Sequence, residues 1–420
     1  MKVIITSDTH FGDPSSQLAA LGANGLPVLG SRYADFKNAV GRENDYLILL
    51  GDVIDVAVER YKDAFDIFIF FLNQLVKDNL AKKVLYVPGN HDFDVWHTVE
   101  YQANIINRVS SQPPRQISLL RMAVPAVIDD RPSAKYELFL GGVTRGQDPD
   151  KPYGHHLFLD FLTNNKLNIS VGYPNAYLVT SQNETLLLTH GQYFEDFWSL
   201  ITDWAPRIFK SDYILDVAPM IMNLTHVNYP LSQLSSSGVG QAGPLTKLLQ
   251  NIQRDFKHQK TDNIRFYLNN LEEEIRIRLL KIKWYNPFSW PKSWALSAVK
   301  RAILNEIKKT PHLPAKEDKG WEDKAKEKMD RYYLWCQEEL RALNEKEGFS
   351  YPDQPKKLIF GHTHRPIGIT NDKPRLLGPG IEIPVYNTGG WLQKKEEGED
   401  GGSEVFIYET GKPLRSIRIF

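Results

Sequence analysis

The chain has 420 residues, enough for two or three domains or for one domain carrying a long insertion. Hydrophobic residues make up 42%, charged residues 24%, and the formal net charge is zero, which excludes a partner selected by overall charge. The single cysteine, Cys336, excludes an intrachain disulfide and a thiolate metal cluster and fits a reducing, cytoplasmic compartment.

The opening "MKVIITSDTH" starts a strand-like apolar run at Val3, which leaves no room for a secretory leader. A second run, "YLILL", ends in "GDVID". The stretch "VERYKDAFDIFIFFLNQLVKDNL" then sets Phe65, Ile69, Leu72 and Val76 at helical spacing, and its acids fit an amphipathic helix rather than a membrane span. Strand runs resume with "KVLYVP" into "GNHD" and "TLLLT" into "HGQ". From about Tyr193 to about Pro352 helical patterns dominate. There Trp321, Ala325, Met329, Tyr333, Cys336, Leu340 and Leu343 make one packing stripe. The strands return as "KKLIF" into "GHTH", "PVYNTGG", "EVFIYET" and "SIRIF". Short continuous Val/Ile/Leu runs read as strands buried on both faces, so the expectation is an α/β layered core. Residues 1–192 and 353–420 form that core, and 193–352 form a large, mostly helical insertion or cap.

Each of five strand runs stops at a polar cluster, and in α/β sheets ligands gather where buried strands end. Together the clusters offer Asp8, His10, Asp52, Asn90, His190, His362 and His364. These are oxygen and nitrogen donors without sulfur, suited to manganese first and to iron or zinc as well. Within "SDTH" and "GHTH" the paired donors are two residues apart, so an extended chain projects both to one side. Seven donors exceed what one catalytic ion draws from protein, and two divalent ions use them economically. Two ions ~3.5 to 4 Å apart supply a hydroxide at neutral pH and clamp both ends of a displacement at phosphorus, so phosphoester hydrolysis is the expected chemistry.

The ordered series "DTH", "GDVID", "GNHD", "TH" and "GHTH" resembles the calcineurin-like metallophosphoesterases. That resemblance implies a layered β-sandwich flanked by helices. It implies that Asp8, His10 and His364 hold one metal, that Asn90, His190 and His362 hold the other, and that Asp52 bridges them. It also gives His91 the role of stabilising the transition state or protonating the leaving oxygen, with Asp55 as its partner, while Asp92 braces the site from behind. Taken singly, each block has a bland explanation: a chance tripeptide, a turn, a core histidine. Their order in one chain is what favours a site. His97, His155, His156, His226, His258 and His312 match no block. Asn387, in "YNTGGW", lies near the last strands and is expected to approach the site.

Between Lys281 and Thr310 seven basic residues face a single Glu306, with Trp284, Phe288, Trp290 and Trp294 interleaved. Leu296, Val299, Ile303 and Ile307 then make an apolar helix face. This pattern suits a helix lying at a membrane or lipid surface, internal packing of the insertion, or a stacking groove for single-stranded nucleic acid. "GHTHRP" with the glycine- and tryptophan-containing turn after it resembles the branch that hydrolyses the diphosphate of acylated UDP-glucosamine. That branch commonly has arginine where this chain has His91, and its insertion is shorter. The expected substrate is therefore a phosphomonoester, phosphodiester or diphosphate, with an amphiphilic one suggested by the insertion. A nuclease or cyclic-nucleotide phosphodiesterase, and a non-catalytic binding module, are the alternatives. Oligomeric state is not indicated by the sequence.

Overall fold

A computed structural model of the chain describes residues 1–56, 60–117, 120, 123–140, 158–164, 166–195, 198–199, 202, 220–237, 266, 269, 319–369, 374–376, 382–393 and 402–420. Its first half runs β1 (Lys2–Thr6), β2 (Ala19–Leu21), β3 (Pro27–Leu29), α1 (Tyr33–Val40), β4 (Asn44–Leu50), α2 (Tyr61–Lys77), β5 (Ala81–Val87), α3 (Phe93–Tyr101), β6 (Ala126–Asp129) and β7 (Leu138–Leu140). The order continues with α4 (Phe158–Phe161), β8 (Asn168–Val171), β9 (Asn175–Val179), β10 (Thr185–Thr189), α5 (Met220–Ser237) and α6 (Lys319–Glu347). It closes with β11 (Lys357–Phe360), β12 (Pro374–Leu376), β13 (Glu382–Asn387), β14 (Ser403–Glu409) and β15 (Arg415–Ile419). By internal contacts the chain divides into Met1–Gln241 with Asp323–Phe420, and Ala242–Glu322. The basic segment 281–310, His155 and His156, and His258 and His312 lie outside the described residues, as does most of the expected helical insertion. The described elements within 193–352 are helical: a 3₁₀ turn at Gln192–Phe194, α5 and α6.

Among the described residues there are two large sheets, the first with the order β15-β14-β1-β4-β5-β8 and the second β12-β13-β11-β10-β9-β6-β7, and a small antiparallel pair, β2-β3. In the first, β1, β4, β5 and β8 are mutually parallel neighbours. In the second, β10, β11 and β13 are parallel. Parallel pairing sends all the carboxyl ends of a set to the same edge, and this brings the five polar clusters to one place.

The continuous apolar runs are explained by burial on both faces. Val3 and Ile5 of β1 point into a core shared with Ile48 and Leu50 of β4, Leu186 and Leu188 of β10 and Ile359 of β11, which is the seam between the two sheets. Ile4, Leu47 and Leu49 point the other way, into the larger core formed with the helices. Because strand side chains alternate, a slip of one residue would exchange these two cores, but both accept apolar groups. The polar ends decide the register, since they alone must emerge at the edge.

Helices cover both outer faces. On the first sheet α2 buries Ala64, Ile67, Phe68, Phe71, Leu72 and Leu75, and Phe68 packs against Tyr86 of β5. The sequence predicts a stripe of Phe65, Ile69, Leu72 and Val76; only Leu72 of these is fully buried. The run "IFIFFL" is apolar around much of its circumference, so periodicity could not choose the face, and contact with Phe11 and Tyr86 does. On the second sheet α6 buries Met329, Tyr333, Cys336, Leu340 and Leu343, as its stripe predicts. Trp321 and Ala325 of that stripe have side chains outside the described set. No helix among the described residues is long and apolar enough to cross a membrane.

Candidate metal centre

Five donors leave their strands through the left-handed backbone region: Asp8 (φ 51°), His10 (44°), Asp52 (49°), His362 (68°) and His364 (53°). Outside glycine this conformation is uncommon and costs about 1–3 kcal/mol per residue, and it clusters where function over-determines the backbone. It turns each donor sharply off its strand end, toward the gap between the sheets. The turns are held by backbone bonds: Asp8 N–H to Gly51 O at 2.9 Å, His10 N–H to Asp52 O at 2.9 Å, and Gly361 N–H to His190 O at 2.9 Å.

The expected donors fall into two groups, and His10, Asp55 and His91 make a third close set. Asp8, His10 and His364 have one ligand atom each within 4.8 Å of one another, as do Asp52, His190 and His362. In the first, His364 Nε2 is 3.2 Å from Asp8 Oδ1 and 3.1 Å from His10 Nε2. In the second, His190 Nε2 is 3.2 Å from Asp52 Oδ2 and 3.1 Å from Asn90 Oδ1. The same oxygen, Asp52 Oδ2, lies 3.8 Å from His10 Nε2, so it faces both groups. Its partner Oδ1 accepts from the His91 N–H at 2.8 Å, which leaves Oδ2 for the centre.

Burial alone would keep these carboxyl groups protonated, but the surrounding imidazoles outweigh it. Burial raises the pKa of Asp52, yet His190 and His91 hold it well below the usual carboxylate range. Asp8 is lowered in the same way by His190 and His364. Burial likewise opposes protonation of His190, and Asp52 lifts its pKa to about 9. Asp8, Asp52 and His190 hold one another charged, whereas burial pushes the His364 pKa down.

Asp55 links His10 to His91. Its Oδ2 is 3.2 Å from His10 Nδ1, and its Oδ1 is 2.8 Å from His91 Nδ1. Burial lowers the His91 pKa, but Asp55 and Asp52 more than compensate and bring it to about 10. The His91 side chain is 25% exposed, against 4% for His10 and 0% for His190, so it stands at the mouth of the centre. Asp92 is wholly buried behind it, accepting from Val53 N–H at 2.7 Å, Gly89 N–H at 2.5 Å and the Tyr86 hydroxyl. Burial and the nearby Asp52 charge push its carboxyl up to about 6.

Asn387 touches no donor side chain. Its Nδ2 donates to Gly361 O at 2.7 Å and Thr363 Oγ1 at 3.1 Å, bracing the loop that presents His362 and His364. His97 pairs with Tyr229 on α5, away from the centre. Three features escaped sequence reasoning. Ser7 bonds both Asp8 and Thr388. Glu195 Oε1 lies 3.1 Å from His362 Nε2, and no strand-end signal marks it. The block glycines are a packing requirement: a Cβ on Gly51 (φ 82°) would sit 2.3 Å from His190 Nδ1, and one on Gly361 would sit 2.3 Å from Asp8 Oδ2.

The donor chemistry fits divalent cations. His190 Nδ1 lies 3.0 Å from the Leu50 carbonyl, which can only accept, so in the neutral ring the proton is on Nδ1. Nε2 then faces Asp52 Oδ2 and Asn90 Oδ1, a place where either a proton or a metal cation is held between them. His10 Nε2 and His364 Nε2 lie 3.1 Å apart, close enough to share a proton or to flank a cation. Both nitrogens of His362 are buried without a hydrogen bond of acceptable geometry among the described residues.

A fold of this kind with two such donor groups defines a metal-dependent phosphoric ester hydrolase. The family model of the calcineurin-like phosphoesterases matches residues 1–251, and the chain belongs to that family. Members depend on a metal pair, and a phosphoester is the implied substrate. The matched residues hold the first four blocks; "GHTH" lies beyond them and is brought alongside by the pairing of β11 with β10. No curated protein matches the chain.

Proposed function

We propose that Asp8, His10 and His364 hold one divalent ion, that Asn90, His190 and His362 hold the second, and that Asp52 is shared between them. The observation that carries this reading is the single Asp52 oxygen facing both histidine groups. Manganese is the ion we propose, since the donors are hard or intermediate and include no sulfur. When bound, such a pair supplies a nucleophile at neutral pH and positive charge at the phosphoryl oxygens.

The chain's own contribution is charge and orientation. Asp55 accepts from His91 Nδ1 and keeps the ring an imidazolium at neutral pH. His91 Nε2–H then stabilises the charge that develops at phosphorus or passes its proton to the leaving oxygen. Asp52 Oδ1, tied to the His91 backbone, keeps this residue in register with the donor beside it.

Residues 1–192 and 353–420 constitute the catalytic core in this proposal, and 193–352 an insertion that selects the substrate. The basic, tryptophan-rich segment 281–310 favours an amphiphilic phosphoester or diphosphate met at a membrane surface from the cytoplasm. A nuclease is the second reading, favoured by the same basic and aromatic composition.

Manganese-loaded protein should hydrolyse bis-p-nitrophenyl phosphate or p-nitrophenyl phosphate. Asp52→Asn should lose at least ~10³-fold in turnover with its circular dichroism unchanged, and retained activity would sink the assignment. His91→Gln should lower kcat by about 10²- to 10³-fold with little change in KM. Comparing a nucleotide-diphosphate head group with and without acyl chains tests the substrate. Preference for the acylated form supports a lipid-gripping insertion, and salt-sensitive cleavage of oligonucleotides supports the nuclease.

A further inference from the structure

We infer that Glu195 is a positioning residue for the second metal site, acting through His362. This rests on the two-metal reading above and assigns a role to a residue outside all five blocks.

A ligating imidazole has two nitrogens on opposite sides of the ring. One binds the metal, and the other usually donates its proton to a carboxylate or carbonyl that fixes tautomer and orientation. Two donor histidines here already have such an outer acceptor: Asp55 Oδ2 at 3.2 Å from His10 Nδ1, and Leu50 O at 3.0 Å from His190 Nδ1. Both therefore direct Nε2 inward. At His362 the nearby carboxylate is on the other nitrogen: Glu195 Oε1 is 3.1 Å from Nε2, a close charge contact that a small rotation of either side chain would turn into a hydrogen bond. Both ring nitrogens are buried without a hydrogen-bond partner among the described residues, and with the carboxylate beside Nε2 it is Nδ1 that is left for the metal.

Glu195 is outside the set of mutually close donors formed by Asp52, His190 and His362, so it acts on the ring rather than as a further ligand. Its backbone is fixed. The chain turns at Gly191 (φ 106°) into the 3₁₀ turn Gln192–Phe194, Glu195 N–H bonds Gln192 O at 3.1 Å, and Ser199 Oγ bonds Glu195 O at 3.1 Å. Five residues after His190, the turn folds the carboxylate back over the histidine supplied by β11. Its side chain is 17% exposed, so the pair is largely shielded from water and the contact is worth more than a surface one. Glu195 also stands at the root of the proposed insertion, so displacement of that root would loosen one metal site and spare the other.

The test is manganese titration of the full-length protein, from metal-free to saturated, followed by calorimetry and by the Mn(II) resonance signal. Wild type should take up two ions. Glu195→Ala should weaken one of them by about 10- to 100-fold and leave the other unchanged. Glu195→Gln, which keeps an acceptor oxygen, should recover part of the loss. His362→Ala should weaken the same ion, and adding Glu195→Ala to it should cost nothing further. Equal affinities for both ions in wild type and Glu195→Ala, or additive losses in the double variant, would overturn the role. Uptake of fewer than two ions by wild type would instead overturn the two-metal reading, and this inference with it.

Discussion

Replacing Glu339 with glutamine should stabilise the protein above neutral pH and leave it little changed in mild acid. Glu339 projects from α6 onto the second sheet, where its Oε2 accepts from the Tyr177 hydroxyl at 2.7 Å and from Asn175 Nδ2 at 3.0 Å. Burial raises its pKa more than these bonds lower it, and the group reaches about 7 against an ordinary 4.5. The folded protein therefore keeps this proton where the unfolded chain has released it. The contribution of Glu339 to stability is greatest below pH 4.5, falls as pH rises through the window from 4.5 to about 7, and is then constant. At 1.36 kcal/mol per pH unit the whole window amounts to about 3 kcal/mol, and the part between pH 5 and 8 to about 2.5 kcal/mol. Glutamine keeps an acceptor for both donors and has no charge to bury. Urea unfolding of both proteins at pH 5 and pH 8 isolates the effect, since every other titrating group is common to them. With a slope of about 3 kcal/mol per molar, the gap between their midpoints should widen by about 0.8 M from the lower to the higher pH. A gap that does not change with pH would show that Glu339 titrates normally and that its burial costs nothing.

Gly361→Ala should disable the site without unfolding the core, because the new methyl would displace Asp8 and Ser7 from 2.3 Å contacts. We expect more than about 100-fold loss of turnover and a stability cost of about 1–3 kcal/mol, measured by kinetics and thermal unfolding; wild-type turnover would count against the cradle. Chelation should lower the unfolding midpoint, since the proposed ligands come from strand ends of both sheets. At 100 times the dissociation constant manganese should contribute about 2.7 kcal/mol per site, and coincident melts with manganese and with EDTA would contradict this.

What the sequence made legible is bounded by one physical rule. Runs such as "KVIIT" and "TLLLT" are recognisable because they are apolar on both faces and end abruptly in polar residues, and parallel pairing turns those ends into one site. β6, β7, β8 and β9 carry no donor at their ends, so nothing in the sequence singled them out, although they complete both sheets. The buried face of α2 was illegible because a helix apolar around most of its circumference leaves the choice to its neighbours. The left-handed turns at Asp8, His10, Asp52, His362 and His364 could not be read, because Asp and His tolerate that conformation without requiring it; tertiary bonds impose it. Glu195 was invisible for a related reason. Its role depends on β11, which arrives much later in the chain.

That delay has a consequence for the newborn protein. β11 lies between β10 and β13 in the second sheet, and it brings in both His362 and His364. About 170 residues separate His190 from His362, which at ~5–20 residues per second is roughly 10 to 35 s of synthesis. Throughout that interval the edge of β10 is without its eventual neighbour, and each metal group lacks a histidine. The edge is a hazard that the growing chain or a chaperone must cover. The missing histidines leave both proposed metal sites incomplete until β11 is made, so on that proposal the ions are taken up by the finished chain.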